Sequence, residues 1–126
     1  MATLGLNHVN IRTLDIVATV RFYTHILGFR YDGPKQVGGF ARNWLYDQAG
    51  RPVIHLREMA PGADSTGAID HIALTCDDMP AVLDRLEAED VRFAARDNPT
   101  DGIVQVFVTD PNGVTLELNF PLPATA

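Results

Sequence analysis

Three histidines and one glutamate have the chemistry of metal ligands. They are His8, His55, His71 and Glu117. Imidazole nitrogen and carboxylate oxygen bind zinc, nickel, iron, manganese or cobalt, and a site with four protein ligands can leave positions for water or substrate. This donor set predicts one divalent metal ion (Zn, Ni, Fe, Mn or Co) with an open position for catalysis.

The four residues occupy equivalent positions of an internal repeat. An offset of 63 residues pairs His8 with His71 and Asp15 with Asp78, and an offset of 62 pairs His55 with Glu117. Each half has the pattern strand, helix, strand, strand, strand. The sequence therefore predicts a duplicated βαβββ module.

Hydrophobic periodicity gives the elements of each half. In the first, strands are predicted at 6–11, 29–32, 40–47 and 52–58, with a helix from Asp15 to Gly28. In the second, strands are predicted at 69–76, 91–94, 103–109 and 114–120, with a helix over 78–90. Asp110-Pro111-Asn112-Gly113 has strong turn chemistry between the last two strands. The prediction is an α+β chain: one domain, 1–126, of module 4–58, linker 59–67 and module 68–120.

Alternation along the strands assigns each side chain to a face. Apolar residues such as Ile11, Ile54, Leu74 and Leu116 take one face, which the helices should cover. The other face receives the candidate ligands and several polar neighbours. Its predicted members include His8, Asn10, Arg12, His55, Arg57, His71, Glu117 and Asn119.

Composition narrows the class of protein. The chain has 126 residues, 46% of them hydrophobic, and a formal net charge of -6, which argues against a nucleic-acid partner. Cys76 is the only cysteine, and residues 1–6 lack the features of a signal peptide. No apolar run approaches the roughly 18 residues of a membrane span. We expect a cytoplasmic protein that does not enter a membrane, with Cys76 in the core.

Several stretches resemble the vicinal oxygen chelate superfamily, which includes glyoxalase I, extradiol dioxygenases, fosfomycin-resistance transferases and bleomycin-binding proteins. The most characteristic are Gly5 to Val9, Val20 to Phe29, Asp70 to Leu74, and Asp110 to Leu118. The resemblance implies two βαβββ modules forming a cup-shaped mixed sheet with helices on the outer face. It also implies a homodimer, often formed by exchange of modules.

Carried over by position, the resemblance gives His8, His71 and Glu117 the most widely used ligand positions. His55 stands where glyoxalase I has a fourth ligand that is usually Glu, which leaves Glu117 as the carboxylate for general-base catalysis. Arg12 resembles the arginine that grips the glutathione carboxylate. Met59 stands near the place of an expected asparagine, which departs from glyoxalase I.

Other candidate substrate contacts come from their positions. Arg57 and Asn119 lie two residues beyond His55 and Glu117, Asn10 shares their predicted face, and Trp44 could wall a pocket, although core or dimer packing is an alternative for it.

The resulting hypothesis is a metal-dependent, glyoxalase-like lyase or isomerase. It would act on a small oxygenated substrate by metal chelation and proton transfer. Two alternatives stay open: an Fe(II)-dependent ring-cleaving extradiol dioxygenase, and a metal-free binding protein of the bleomycin-resistance type. A fosfomycin transferase is disfavoured because the segment 97–102 is acidic.

Overall fold

The computed structural model describes residues 2–61 and 67–122, and the backbone alone at Val37 and Phe40. The chain divides into two compact units, Met1–Gly62 and Ala63–Ala126. Each unit combines a mixed β-sheet with one helical segment, which confirms the predicted α+β class. The predicted module boundaries and their grouping into one domain stay a prediction.

The first unit contains a sheet of five strands. Its elements are β1 Val9–Thr13, α1 Ile16–Arg21 with a π-helical continuation over Phe22–Ile26, β2 Arg30–Tyr31, β3 Lys35–Val37, β4 Phe40–Tyr46 and β5 Pro52–Glu58. The strand order is β1-β5-β4-β2, and the short β3 pairs with β4. Strand β5 lies between β1, which runs parallel to it, and β4, which runs antiparallel to it. The central residues of the three strands therefore lie side by side.

The second unit repeats this plan with four strands. Its elements are β6 Ile72–Thr75, α2 Met79–Ala88, β7 Ala94–Asn98, β8 Ile103–Thr109 and β9 Thr115–Pro121. The strand order is β6-β9-β8-β7, with β6 parallel to β9 and the other pairs antiparallel. The second unit thus has the predicted strand, helix, strand, strand, strand succession, and the first has it with the short β3 added.

Strand register confirms the internal repeat. In the first unit Asn10 pairs with His55, and in the second Ala73 pairs with Glu117. These pairs are equivalent under the same offsets that relate the candidate ligands of the two halves. The duplication therefore preserves the positions of candidate ligands within each sheet.

Helix caps follow the same repeat. The Asp15 side chain accepts a hydrogen bond from the Ala18 amide at the start of α1, and Asp78 does the same for Ala81 at the start of α2. At the other end of the first helical segment Gly28 has φ +81, and its amide donates to the Thr24 carbonyl. Such left-handed glycines end helices, as predicted here.

Some predicted boundaries are wrong. β1 and β6 begin at Val9 and Ile72, so His8 and His71 lie immediately before their strands. The strand predicted at 91–94 is found as β7 at Ala94–Asn98, because residues 91–93 follow α2 and the Val91 amide donates to the Leu86 carbonyl. The short strand β3 was not predicted.

Burial alternates along β5 and β9 as expected, whereas three successive residues of β8 are buried and four of β7 are exposed. Ile11, Leu45, Ile54 and Leu56 are buried in the first unit. The second buries a set from β8, β9 and α2: Val82, Leu86, Val104, Val106, Val108, Leu116, Leu118 and Phe120. Each such side chain stabilises the fold by about 1.5–3 kcal/mol. We call the opposite side of each sheet its polar face. Within the described residues, no helix combines the length and apolar character of a membrane span.

Candidate metal centre

In the first unit, His8 and His55 lie on the polar face around Trp44. The Trp44 ring stacks on His55 with centroids 4.3 Å apart and an 8° angle between planes. His8 meets Trp44 edge-on at 4.9 Å, and the two imidazole centroids are 6.3 Å apart. Trp44 therefore packs against both rings.

The residue before His8 and the residue before His71 hold these rings in the same way. His8 Nδ1 lies 2.7 Å from Asn7 Oδ1, and His71 Nδ1 lies 2.8 Å from Asp70 Oδ2. An oxygen of this kind can only accept, so Nδ1 donates and the neutral ring keeps its lone pair on Nε2. Metal-binding histidines commonly donate their second ring N–H to such a partner.

The second unit brings His71 and Glu117 together. His71 Nε2 lies 3.7 Å from Glu117 Oε1. Two ligand atoms bound to one ion at about 2.1 Å lie roughly 3 Å apart, so only a small movement separates this pair from a shared metal. Asn119 Nδ2 donates to Glu117 Oε2 at 2.9 Å, which orients the carboxylate toward His71.

His55 has a different partner from the other two histidines. Asn10 Nδ2 lies 3.1 Å from His55 Nδ1, so the amide donates and the neutral ring carries its proton on Nε2. A half-turn of the Asn10 amide would let Oδ1 accept from Nδ1 instead and free Nε2 for a metal. His55 therefore fits a metal only in that second arrangement.

The environments of His55 and His71 shift their pKa values in opposite directions. Partial burial lowers the pKa of His55 from its ordinary 6.5, and the charges of Arg42, His8 and Arg57 lower it further. The hydrogen bond to Asp70 raises the pKa of His71, and the Glu117 charge adds to this. A proton therefore competes with a metal at His71 at higher pH than at His55.

The predicted ligands occur as two pairs in the described chain. His8 and His55 form one in the first unit, and His71 and Glu117 form the other in the second. No group of three His, Cys, Asp or Glu side chains suited to a metal is found within residues 2–61 and 67–122. The donor chemistry and the ring orientations of His8 and His71 nevertheless fit a metal ion.

The predicted substrate contacts lie on the polar faces. Arg12 and Arg57 are exposed and directly opposite each other on β1 and β5. Asn10 and Trp44 contact His55. The Oδ1 atom of Asn119 is buried and has no hydrogen-bond partner among the described residues. An unsatisfied acceptor of this kind, here beside Glu117, is rare in folded proteins.

Two further arginines, neither of them a predicted substrate contact, lie on the polar faces. Arg42 precedes Trp44 by two residues and therefore shares its face. Arg96 on β7 donates to Gln105 Oε1 at 2.9 Å and lies 5.8 Å from the Phe107 ring, which pairs with Glu117. Alternation along β4 predicts the face of Arg42, whereas Arg96 was not predicted because β7 was placed too early in the chain.

Cys76 was predicted to lie in the core, but the structure leaves it half-buried. Burial raises the pKa of its thiol to about 11, with the charge of Asp77 as a second cause. A thiol of such high pKa contributes little thiolate near neutral pH, which disfavours Cys76 as a nucleophile.

Comparison with known proteins supports the family resemblance. Residues 5–118 match the model of the Glyoxalase/Bleomycin resistance protein/Dioxygenase superfamily. The chain is 30% identical over 115 residues to "Putative glyoxylase CFP32" of Mycobacterium bovis and of Mycobacterium tuberculosis. This match covers 89% of the chain and 44% of each relative, so the chain spans less than half of their length.

Solved structures share the fold at low identity. TnmS3, an antibiotic binding protein from Streptomyces sp. CB03234, matches with a TM-score of 0.74 at 20% identity, over 96% of this chain and 98% of that one. FosX, a fosfomycin resistance protein from Listeria monocytogenes, matches with 0.74 at 18%, over 94% and 93%. A glutamate-to-glutamine variant of FosX was solved with Mn(II) and a dihydroxypropylphosphonic acid, and matches with 0.71 at 19%, over 91% and 88%. The family match and the shared fold together establish that the chain belongs to the Glyoxalase/Bleomycin resistance protein/Dioxygenase superfamily.

Proposed function

We propose that this protein is a metal-dependent lyase or isomerase of the glyoxalase type acting on a small oxygenated substrate. The observation that carries the proposal is the His71 and Glu117 pair. Asp70 holds the far nitrogen of the imidazole, Asn119 holds the far oxygen of the carboxylate, and the near atoms face each other at 3.7 Å. Such outer contacts are typical of metal ligands.

We propose His8, His55, His71 and Glu117 as the ligands of one divalent ion. When bound, the ion supplies Lewis-acid polarisation of adjacent substrate oxygens. The Mn(II) complex of FosX supports a divalent metal in this fold. His55 joins the set once the Asn10 amide accepts from its Nδ1.

Glu117 is the proposed general base. Its carboxylate takes a proton from a substrate carbon next to a carbonyl and can return it to the neighbouring carbon. Asn119 Nδ2 keeps Oε2 in place during this transfer. Arg12, Arg57, Asn10 and Trp44 supply the remaining substrate contacts.

Deuterium exchange tests this proposal on a panel of small carbonyl compounds. Hydroxyketones, ketoacids and thiol adducts of ketoaldehydes are incubated in D₂O with the protein and Mn(II), Ni(II), Zn(II) or Co(II), and NMR follows exchange next to the carbonyl. We expect Glu117→Gln to slow exchange about 10²–10⁴-fold. Glu58→Gln serves as the matched control, because Glu58 is an exposed glutamate on β5, away from Glu117 on β9. Equal rates for native protein and Glu117→Gln would contradict the proposal.

An extradiol dioxygenase is the second candidate. The observation that favours it is the Asn10 contact, which leaves His55 Nε2 protonated and His8, His71 and Glu117 as a set of two histidines and one carboxylate. That set suits non-haem Fe(II). The candidate predicts oxygen uptake with catechols and Fe(II), and absence of uptake across a catechol panel would remove it.

A binding protein without metal remains the non-enzymatic alternative, and a sample that takes up no divalent ion would favour it.

We further propose a homodimer. Exposed apolar side chains at Leu4, Leu6, Leu14, Val17 and Ile69 support self-association. Sedimentation equilibrium should give twice the chain mass, and a monomer at micromolar concentration would contradict the dimer.

A further inference from the structure

One row of the polar face in the first unit is made of basic residues. Arg12 on β1 pairs with Arg57 on β5. Asn43 on β4 pairs with Leu56, so the preceding Arg42 lies opposite Arg57 on the other side of β5. Lys35 on β3 pairs with Arg42 and extends the row. We call Arg12, Arg57 and Arg42 the arginine row.

In the part of the chain that the structure describes, the arginine row has no acidic partner. Within residues 2–61 and 67–122, none of its three guanidinium groups forms an ion pair. The acids of this unit are committed elsewhere, since Asp15 caps α1, Asp32 and Asp47 pair with other arginines, and Glu58 alternates onto the opposite face of β5. The polar face of this unit therefore carries unbalanced positive charge.

This concentration of like charge is unfavourable, and a bound anion would offset it. Neighbouring strands lie about 4.8 Å apart, so the backbone positions of the three arginines span roughly 10 Å. Like charges directly opposite each other on a sheet destabilise the pairing. All three side chains are exposed, so water screens the repulsion while leaving the guanidinium donors free for a ligand.

The row lies next to the candidate metal ligands. Asn10, His55 and Trp44 occupy the adjacent row of the same face, two residues away along each strand or roughly 7 Å. The charges of Arg42 and Arg57 reach the His55 ring, since they contribute to its lowered pKa. An anion on the row would thus place the rest of a small molecule over His55 and Trp44.

We propose that the arginine row binds a doubly charged oxyanion on the substrate: a phosphate, a phosphonate or a pair of carboxylates. Guanidinium groups recognise such oxygens through paired hydrogen bonds, and one carboxylate engages one arginine in this way. A dianion with three or more oxygens can engage two or three. The role of the arginine row in substrate binding rests on the proposed function. Its binding of an anion does not depend on that function.

Calorimetric titration of the metal-free protein at low salt tests the anion site. The probes are inorganic phosphate, phenylphosphonate, malonate and acetate, and emission of Trp44, the single tryptophan, gives a second readout. We expect saturable binding of one dianion per chain, with acetate at least about tenfold weaker. Phosphate and phenylphosphonate binding more tightly than malonate would identify a phosphorus oxyanion, and the reverse order a dicarboxylate.

Charge-matched variants separate the row from general electrostatics. Arg57→Gln should weaken the preferred dianion about tenfold or more, and Arg42→Gln gives the same test should Arg57→Gln fail to fold. Arg51→Gln removes an equal charge at a turn, where Arg51 pairs with Asp47, and should leave the affinity unchanged. Absence of saturation, or equal affinity in Arg57→Gln and Arg51→Gln, would overturn the anion site.

A comparison with acetate and with metal completes the test. Acetate binding as tightly as the dianions would overturn the requirement for two charges. Mn(II) titration of the same samples measures the metal site separately. Failure of metal binding with dianion binding intact would refute the proposed function alone, and the converse would refute the arginine row alone.

Discussion

The orientation of single imidazole rings determines which nitrogen can meet a metal. Asn7 and Asp70 occupy equivalent positions of the repeat, and each accepts from Nδ1 of the following histidine. They differ in charge, and the Asp70 carboxylate makes His71 more basic. The two units therefore present the same ring nitrogen with different proton affinities.

Asp70→Asn should lower the pKa of His71, because an amide accepts the same hydrogen bond without the negative charge. Folding raises the pKa of His71, so its contribution to stability is present below the unfolded value and is lost as the pH rises through the folded value. NMR titration of the ring protons measures the change. Asp84→Asn, on the exposed side of α2, is the matched control. An unchanged His71 titration in Asp70→Asn would show that the carboxylate does not govern it.

At the scale of single residues, the sequence predicts which face of a sheet a side chain occupies better than it predicts which residue that side chain contacts. The alternation around His55 and Glu117 is a local property, so their faces follow from neighbouring residues. The contact of His55 with Asn10 joins residues 45 positions apart. This contact depends on the register between β1 and β5, which a single sequence does not reveal. The arginine row escaped prediction for the same reason.

The turn between β8 and β9 shows how a short sequence sets an element that carries a ligand. Asp110 is buried, and its Oδ1 accepts from the amides of Asn112 and Val114 at 2.8 and 2.9 Å. Gly113 completes the turn with φ +87. Strand β9, with Glu117, begins two residues later. Local hydrogen bonding made this turn predictable.

Asp110→Ala should destabilise the protein by about 2–3 kcal/mol, since it leaves the half-buried amide of Asn112 and the buried amide of Val114 without their acceptor. Asp110→Asn retains one side-chain oxygen and should cost about half as much. Urea denaturation followed by far-UV circular dichroism gives both values. Asp97→Ala, exposed on β7, controls for the loss of charge. A loss below about 0.5 kcal/mol in Asp110→Ala, on the order of a surface substitution, would contradict this role.

Elements without such local chemistry were harder to predict. The apolar residues at 91 and 93 resemble a strand but belong to the segment between α2 and β7. β3 has three residues, flanked by Pro34 and Gly38, and is defined by its pairing with β4 rather than by apolar alternation. Both cases depend on tertiary pairing.

The net charge of the whole chain is the sum of opposite net charges in the two units. Residues 1–62 contain seven Arg or Lys and four Asp or Glu, whereas residues 63–126 contain three and twelve. The net charge of -6 argues soundly against a polynucleotide partner. It does not argue against a small anion, because a row of three arginines acts over a few ångströms. Composition therefore constrains large partners more than small ligands.

Metal stoichiometry is the decisive prediction at the scale of the molecule. If His8, His55, His71 and Glu117 hold one ion, the protein should bind one equivalent per chain. His8→Ala and His71→Ala, in different units, should each lower the affinity at least about tenfold. His25→Ala removes a histidine from the helical segment and serves as the control. Inductively coupled plasma mass spectrometry after dialysis against Mn(II) or Zn(II) measures the metal content. Two equivalents in the native protein, with one retained in each variant, would show that each unit binds its own ion.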